Sequence, residues 1–131
     1  MNLLTLVQDV MVGLQLPKPA TVIGNPDPSV AQMLAALGSA ADDLVNRYPN
    51  NRLMPTGEWA RGAGEMGVLK PAPTLDTDEI LFDTPTIRAA ITWRWRDWNG
   101  LDYAEAFRQS EESLSRAALR HTKANAGEVF Y

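Results

Sequence analysis

Apolar residues return at three- and four-residue intervals over four stretches of the chain, the spacing that lines one face of an α-helix. The first carries Leu3, Leu6, Val7, Val10, Met11 and Leu14, and predicts a helix from Asn2 to Gln15 that Pro17 and Pro19 stop. The second carries Val30, Met33, Leu34, Leu37, Ala41, Leu44, Val45 and Tyr48; Asp27 caps it, Pro28 takes its first position and Pro49 closes it. A third helix, opened by Asp83 or Thr84 with Pro85 in its first position, puts Ile87, Ile91, Trp95 and Trp98 on one stripe and Trp93 on the opposite side. After the turn Asn99-Gly100, Asp102 and Glu105 have capping-box spacing. Tyr103, Phe107, Ser110, Leu114, Ala117 and His121 then form a stripe that ends near Lys123 or Ala124.

Between these stretches the periodicity fails. Ala20 to Pro26 reads as an extended linker. From Asn50 to Phe82 the chain is broken by Pro55, Gly57, Gly62, Gly64, Gly67, Pro71 and Pro73, with room for short strands at Met66–Lys70 and Ile80–Phe82. The expected fold is therefore mainly α: a small four-helix bundle with a long irregular middle loop and an extended C-terminal tail. Residues 1–124 form one domain, 50–82 are an irregular insertion within it, and 125–131 are the tail.

Composition narrows the picture without changing it. With 131 residues, 45% hydrophobic and 21% charged, the chain has the makeup of one soluble globular domain. It has no cysteine, so neither a disulfide framework nor a thiolate metal site is expected. The apolar start, Met1 to Val10, lacks a basic leader and contains Gln8 and Asp9, which argues against a signal peptide, and no run reaches membrane-spanning length. A net charge of −4 argues against a protein whose main work is neutralising phosphates.

Candidate chemistry is sparse. Gly62-Ala63-Gly64-Glu65-Met66-Gly67 has the glycine spacing of a dinucleotide-binding turn, but no buried strand precedes it and Val68-Leu69-Lys70-Pro71 cannot open a helix after it, so it reads as a loop. His121, the sole histidine, falls in the last turn of the final helix, where the helix dipole favours a cation. The acids Asp42/Asp43, Asp76/Asp78/Glu79 and Glu111/Glu112 could be imagined as a glycosidase pair and read more simply as solvated faces. No catalytic, metal or cofactor-binding residue is assigned, and the chain is not expected to be an enzyme.

Interaction residues stand out more. Three of the four tryptophans lie on the third helix, and Trp93, flanked by Arg94 and Arg96, is placed at a subunit interface with both arginines, a residue type favoured there. Arg88, Arg94, Arg96 and Arg108 also make a local basic cluster that could touch nucleic acid. The tail ends in Val129-Phe130-Tyr131, large apolar groups beyond any helix stop, suited either to a pocket on another chain or to folding back on the bundle. Burial would be worth about 25 cal/mol per Å² in either place.

Two blocks carry a resemblance. Leu3-Leu4-Thr5-Leu6-Val7-Gln8-Asp9, Gly13-Leu14-Gln15-Leu16-Pro17-Lys18-Pro19 and Val22-Ile23-Gly24-Asn25-Pro26-Asp27-Pro28 fall in residues 2–48. Ile91-Thr92-Trp93-Arg94-Trp95-Arg96 and Gly100-Leu101-Asp102-Tyr103-Ala104-Glu105-Ala106-Phe107 fall in residues 84–120. Together they resemble the head-to-tail adaptor (connector or neck) proteins of tailed bacteriophages. Many members of that family have a longer, strand-containing region where this chain has only Asn50 to Phe82.

The resemblance implies a structural virion protein: a homo-oligomeric ring, typically dodecameric, that docks on the portal protein, extends the DNA channel and offers a platform to the tail, nozzle or next neck protein. It implies assembly in the bacterial host cytoplasm and residence in the virion neck, with no membrane partner and no cofactor. It also implies that the C-terminal segment reaches the portal, which makes Glu128, Val129, Phe130 and Tyr131 the portal-interface residues. Twelve copies at −4 each would carry about −48, so genomic DNA would pass through the channel without specific binding. The alternatives are a DNA-binding packaging module using Arg88, Arg94 and Arg96, and a cell-wall-degrading enzyme using two acids.

Overall fold

The structure is a computed structural model that describes residues 1–47, 57–64 and 67–129, with side chains followed through residue 117 and at Leu119. Four helices, α1 (Leu3–Gly13), α2 (Pro28–Arg47), α3 (Thr84–Trp98) and α4 (Ala104–Val129), make it mainly α as expected. Three two-residue strands, β1 (Ala60–Arg61), β2 (Leu69–Lys70) and β3 (Glu79–Ile80), lie between α2 and α3. Helix α3 is the centre of the arrangement and packs against α4, α2 and α1.

Each helix start has a local cause. Asn2 accepts the Thr5 N–H on its side-chain oxygen at 2.8 Å, and the Leu3 and Leu4 N–H groups, orphaned at the start of α1, donate to the carbonyls of Asp78 and Asp76 at 2.9 and 3.1 Å. Asp27 accepts from the Ser29 N–H at 2.9 Å before α2. Asp83 is the cap of α3, taking the Thr86 hydroxyl at 2.7 Å, with Pro85 one position inside Thr84. Before α4, Asp102 accepts from the Ala104 N–H at 3.1 Å, but Glu105 turns outward to Arg108 and Gln109, so the predicted capping box does not form.

Leu3, Leu6, Val7, Val10 and Met11 of α1, Val30, Met33, Leu37 and Leu44 of α2, and Ile87 and Ile91 of α3 form the core. The α3 stripe is rotated from the expected one. Its buried face runs through Thr86, Ile87, Ala90, Ile91 and Arg94, whereas Trp95 is half-buried and Trp98 is 47% exposed. With α2 and α4 both packed on α3, its inner face is broad, and Trp98 sits in the last turn, where it runs out. On α4, Ser110, Leu114 and Ala117 are buried as the stripe predicts, but Tyr103 and Phe107 stay exposed. The α4 backbone continues to Val129, past the stop expected at Lys123 or Ala124.

The irregular middle holds more order than its composition predicts. Strand β1 pairs antiparallel with both β2 and β3, in the order β2-β1-β3, and Trp59 stacks on Phe82 with ring centroids 5.6 Å apart. The glycine run joins β1 to β2: Gly62 donates to the Val68 carbonyl at 2.9 Å and Gly67, at φ 50°, to that of Gly64 at 3.0 Å. Its glycines serve a hairpin and not a phosphate cradle. The linker Ala20–Pro26 is likewise pinned, since Val22 is fully buried and its N–H and that of Ile23 both donate to the Asp76 carboxylate.

The acids of this segment are not a solvated face. Asp78 is fully buried, and its Oδ2 accepts from Lys70 Nζ at 2.8 Å and from the Thr74 and Leu75 N–H groups at 2.8 and 3.0 Å. Burial pushes this carboxyl up, but the Lys70 bond and the two backbone donors outweigh it and hold it below the ordinary carboxylate value.

Candidate functional site

Helix α3 stops in a Schellman motif, with Gly100 at φ 70° donating to the Asp97 carbonyl at 3.1 Å and Leu101 to the Arg96 carbonyl at 2.8 Å. Asn99 adds a side-chain bond back to the Trp95 carbonyl at 2.8 Å. In such a stop the residue after the glycine normally packs on the side chain five places earlier. Here the residues in those positions are Leu101 and Arg96, an apolar group and a cation, and Leu101 is left 46% exposed. Trp98, Tyr103 and Phe107, close to it in the chain, are also exposed. The α3–α4 corner therefore carries several exposed large apolar groups next to a turn whose backbone hydrogen bonds fix in place.

Trp93 packs against two of these groups, Tyr103 and Phe107. Its ring lies 5.9 Å from that of Tyr103 and meets Phe107 edge-on at 5.2 Å and 84°. The Arg94 guanidinium sits 4.3 Å from the Trp93 centroid, but the side chain runs inward and is 6% exposed. It donates to the Ser39 hydroxyl at 3.2 Å, the Ala90 carbonyl at 3.1 Å and the Asp43 carboxylate at 3.3 Å. Arg47 joins the same network by binding Asp43 at 3.3 Å and Glu111 at 2.9 Å, so charges from α2, α3 and α4 are cross-linked. The bond to Arg47 holds Glu111 below the usual carboxylate range.

Outside this network, α3 and α4 leave a furrow of about 510 Å³ lined by Arg88, Thr92, Arg108, Gln109, Glu112 and Arg116. Thr92 and Gln109 continue into a second hollow that contains Arg96, Asp102 and Glu105. Most of its charge is internally paired. Arg108 binds Glu105 and Glu112 at 2.7 Å each, Arg116 also binds Glu112, and Arg88 approaches Asp9 at 3.8 Å.

The chain matches no protein-family model, no curated protein and no solved structure.

Of the residues placed at a subunit interface from sequence, Trp93 is half-buried against its own chain, Arg94 is buried between helices, and Arg96 lines the second hollow. Arg88, Arg94 and Arg96 do not share one open face. Glu128 and Val129 lie on the last turn of α4, but their side chains, like Phe130 and Tyr131 and the side chain of His121, are outside the described residues. Among the described residues no three metal-ligating side chains come together, and no helix is long and apolar enough to cross a membrane. Asp43, Glu111 and Glu112, named as conceivable catalytic acids, each face an arginine. Sequence reasoning missed Leu101, although glycine followed by leucine, five places after Arg96, already encodes the mismatched stop.

Proposed function

We propose that this protein is a head-to-tail adaptor: a structural virion component that forms a ring on the portal, prolongs the DNA channel and seats the next neck or tail protein. The observation that carries this reading is the α3–α4 corner. Trp98, Leu101, Tyr103 and Phe107 are each at least 40% exposed within ten residues of chain. So many exposed large apolar side chains in so short a stretch support an interaction surface there. The two blocks that resemble phage adaptors, residues 2–48 and 84–120, give the class of partner, and this corner falls within the second.

On this reading the helices are the rigid unit and the C-terminal residues Glu128–Tyr131 take hold of the portal. The paired arginines of the furrow leave little free positive charge to hold DNA, and a chain of net charge −4 lets the genome slide. The test is to mix the purified protein with its cognate portal and image the particles. Rings on the portal are expected with the full chain, and deletion of Glu128–Tyr131 is expected to abolish docking while circular dichroism stays unchanged. A monomer indifferent to portal that binds DNA with a steep salt dependence would instead establish the packaging-module alternative.

A further inference from the structure

Asn99-Gly100 is the one place in the sequence where an asparagine precedes a glycine. The dipeptide forms the α3 stop, and it is also the pairing in which an asparagine side chain is most open to attack by the backbone. Gly100 has no Cβ, so nothing shields its nitrogen from the Asn99 Cγ. The other asparagines precede larger residues or, at Asn25, a proline with no N–H to give up. Asn99 and Gly100 are both exposed, so water and hydroxide reach them. In the folded chain, however, both reacting groups are occupied. Asn99 Nδ2 donates to the Trp95 carbonyl at 2.8 Å, and the Gly100 N–H donates to the Asp97 carbonyl at 3.1 Å. A ψ of 11° at Asn99 nearly eclipses the Gly100 nitrogen with Asn99's own backbone nitrogen, whereas a ring closed through the side chain needs it eclipsed with Cβ. The stop therefore holds the pair out of reaction.

We infer that Asn99-Gly100 is a self-modification site gated by the α3 stop, where local opening of the corner lets the Gly100 nitrogen attack the Asn99 Cγ and expel the side-chain amide. Hydroxide takes the Gly100 amide proton, the nitrogen bonds to Cγ, and the Cγ–Nδ2 bond breaks. Nδ2 takes a proton from water and leaves as ammonia, which restores the hydroxide. Water then opens the succinimide at either carbonyl and leaves an aspartyl or an isoaspartyl linkage. The sum is one water consumed and one ammonia released, with nothing oxidised or reduced. The product does not rebuild the gate. A carboxylate has no N–H for the Trp95 carbonyl, and it adds a negative charge at the C-terminus of α3, where the helix dipole opposes it and the exposed acids Asp97 and Asp102 lie close in the chain. An isoaspartyl linkage also inserts a backbone carbon into the turn, which moves the Gly100 and Leu101 N–H groups off the Asp97 and Arg96 carbonyls. A transient opening of the corner is thereby made permanent. The chemistry is independent of the adaptor reading, because it needs only water and this turn.

The experiment incubates the full chain in mildly alkaline buffer, folded and in urea, and follows each asparagine by peptide mapping with mass spectrometry that separates aspartyl from isoaspartyl products. In urea, Asn99 is expected to deamidate ahead of every other asparagine. In the folded protein its rate is expected to be lower by roughly a hundredfold, because the hydrogen bonds of the stop must break first. Leu101→Pro removes the N–H donated to the Arg96 carbonyl, and is expected to raise the folded-state rate about tenfold while leaving the rate in urea unchanged. A urea series on the parent gives the same answer should that variant fail to fold. Opening of the corner alone exposes little surface, so the rate is expected to stay nearly flat until the unfolding transition. Asn99→Asp, which carries the product's charge, is expected to melt roughly 5 °C lower than the parent. A folded-state rate equal to that in urea would mean that the stop gates nothing, and a rate rising steeply with urea from the start would mean that only global unfolding exposes the pair. Either result would overturn the inference, as would faster deamidation of another asparagine in urea or an Asn99→Asp variant that melts like the parent.

Discussion

Helix α1 and the α3–α4 corner end in the same backbone device and put it to opposite uses. At the end of α1, Leu16 donates to the Met11 carbonyl at 2.8 Å and Gln15 to that of Val12 at 3.0 Å, the same pair of bonds that Leu101 and Gly100 make after α3. There the residue after the turn, Leu16, packs on the core to which Met11 belongs. At the corner the equivalent pair is Leu101 and Arg96, and the leucine stays outside. The start of α1 is closed as well, by Asn2 and by the carbonyls of Asp76 and Asp78. A helix tied into its own chain at both ends contributes to stability, whereas a rigid corner with an exposed leucine is free for the association proposed above.

The largest test of this contrast is at the closed end. Asp78→Ala leaves Lys70 without its anion and the Thr74 and Leu75 N–H groups without an acceptor, and is expected to cost about 3 kcal/mol in urea unfolding. The native protein should show the related acid dependence. Because the folded-state value of Asp78 lies below the ordinary 3.8, its contribution is complete above that unfolded-chain value and is lost as pH falls through the lower folded one. Melting temperature should therefore drop below about pH 4, and Asp78→Ala should flatten that drop.

Next in size is the difference between the two stops. Met11 is 1% exposed, so Met11→Ala is expected to cost about 2–4 kcal/mol, whereas Leu101→Ala should stay within about 0.5 kcal/mol and act only on assembly. Equal costs at the two positions would break the comparison. The smallest effects concern the turn residues. Gln15 holds a left-handed conformation at φ 62° that glycine adopts freely, so Gln15→Gly is expected to be neutral or to stabilise by up to about 1 kcal/mol. Gly100→Ala should cost about 1 kcal/mol for the opposite reason, and with nothing within 4 Å of the added Cβ the cost is conformational and not steric. Thermal unfolding of the four variants would rank them.

The helices were legible because their signals are local: three- and four-residue spacing, Asp27 and Asp83 before prolines, Asn99-Gly100 at a stop. The same spacing cannot say how far the buried face of α3 extends, because that depends on which helices flank it, and so a stripe that includes Trp98 does not show that Trp98 lies outside that face. The room for short strands at Met66–Lys70 and Ile80–Phe82 coincides in part with β2 and β3, but β1 and the order of the sheet are hidden by strand length. Two residues per strand leave no alternation to read, and the pairing of Ala60 with Lys70 and Ile80 is a long-range fact. Arg94 was visible as a charge but not as a buried one, since Ser39 and Asp43, which satisfy it, lie more than fifty positions away. Of the surface proposed here, the tryptophans were noticed in sequence and their exposure was not.

Asp76 has one more consequence. Its carboxylate takes the adjacent N–H groups of Val22 and Ile23 at 3.1 and 2.8 Å, and so stands in for the edge of a neighbouring strand. The connector between the first two helices is thus held by the burial of Val22 and by two side chains, Asp76 at Val22 and Ile23 and Gln8 at the Pro19 carbonyl, instead of by a ladder of backbone pairs. One codon change there would strip two adjacent N–H groups of their acceptor without removing an atom from the apolar interior.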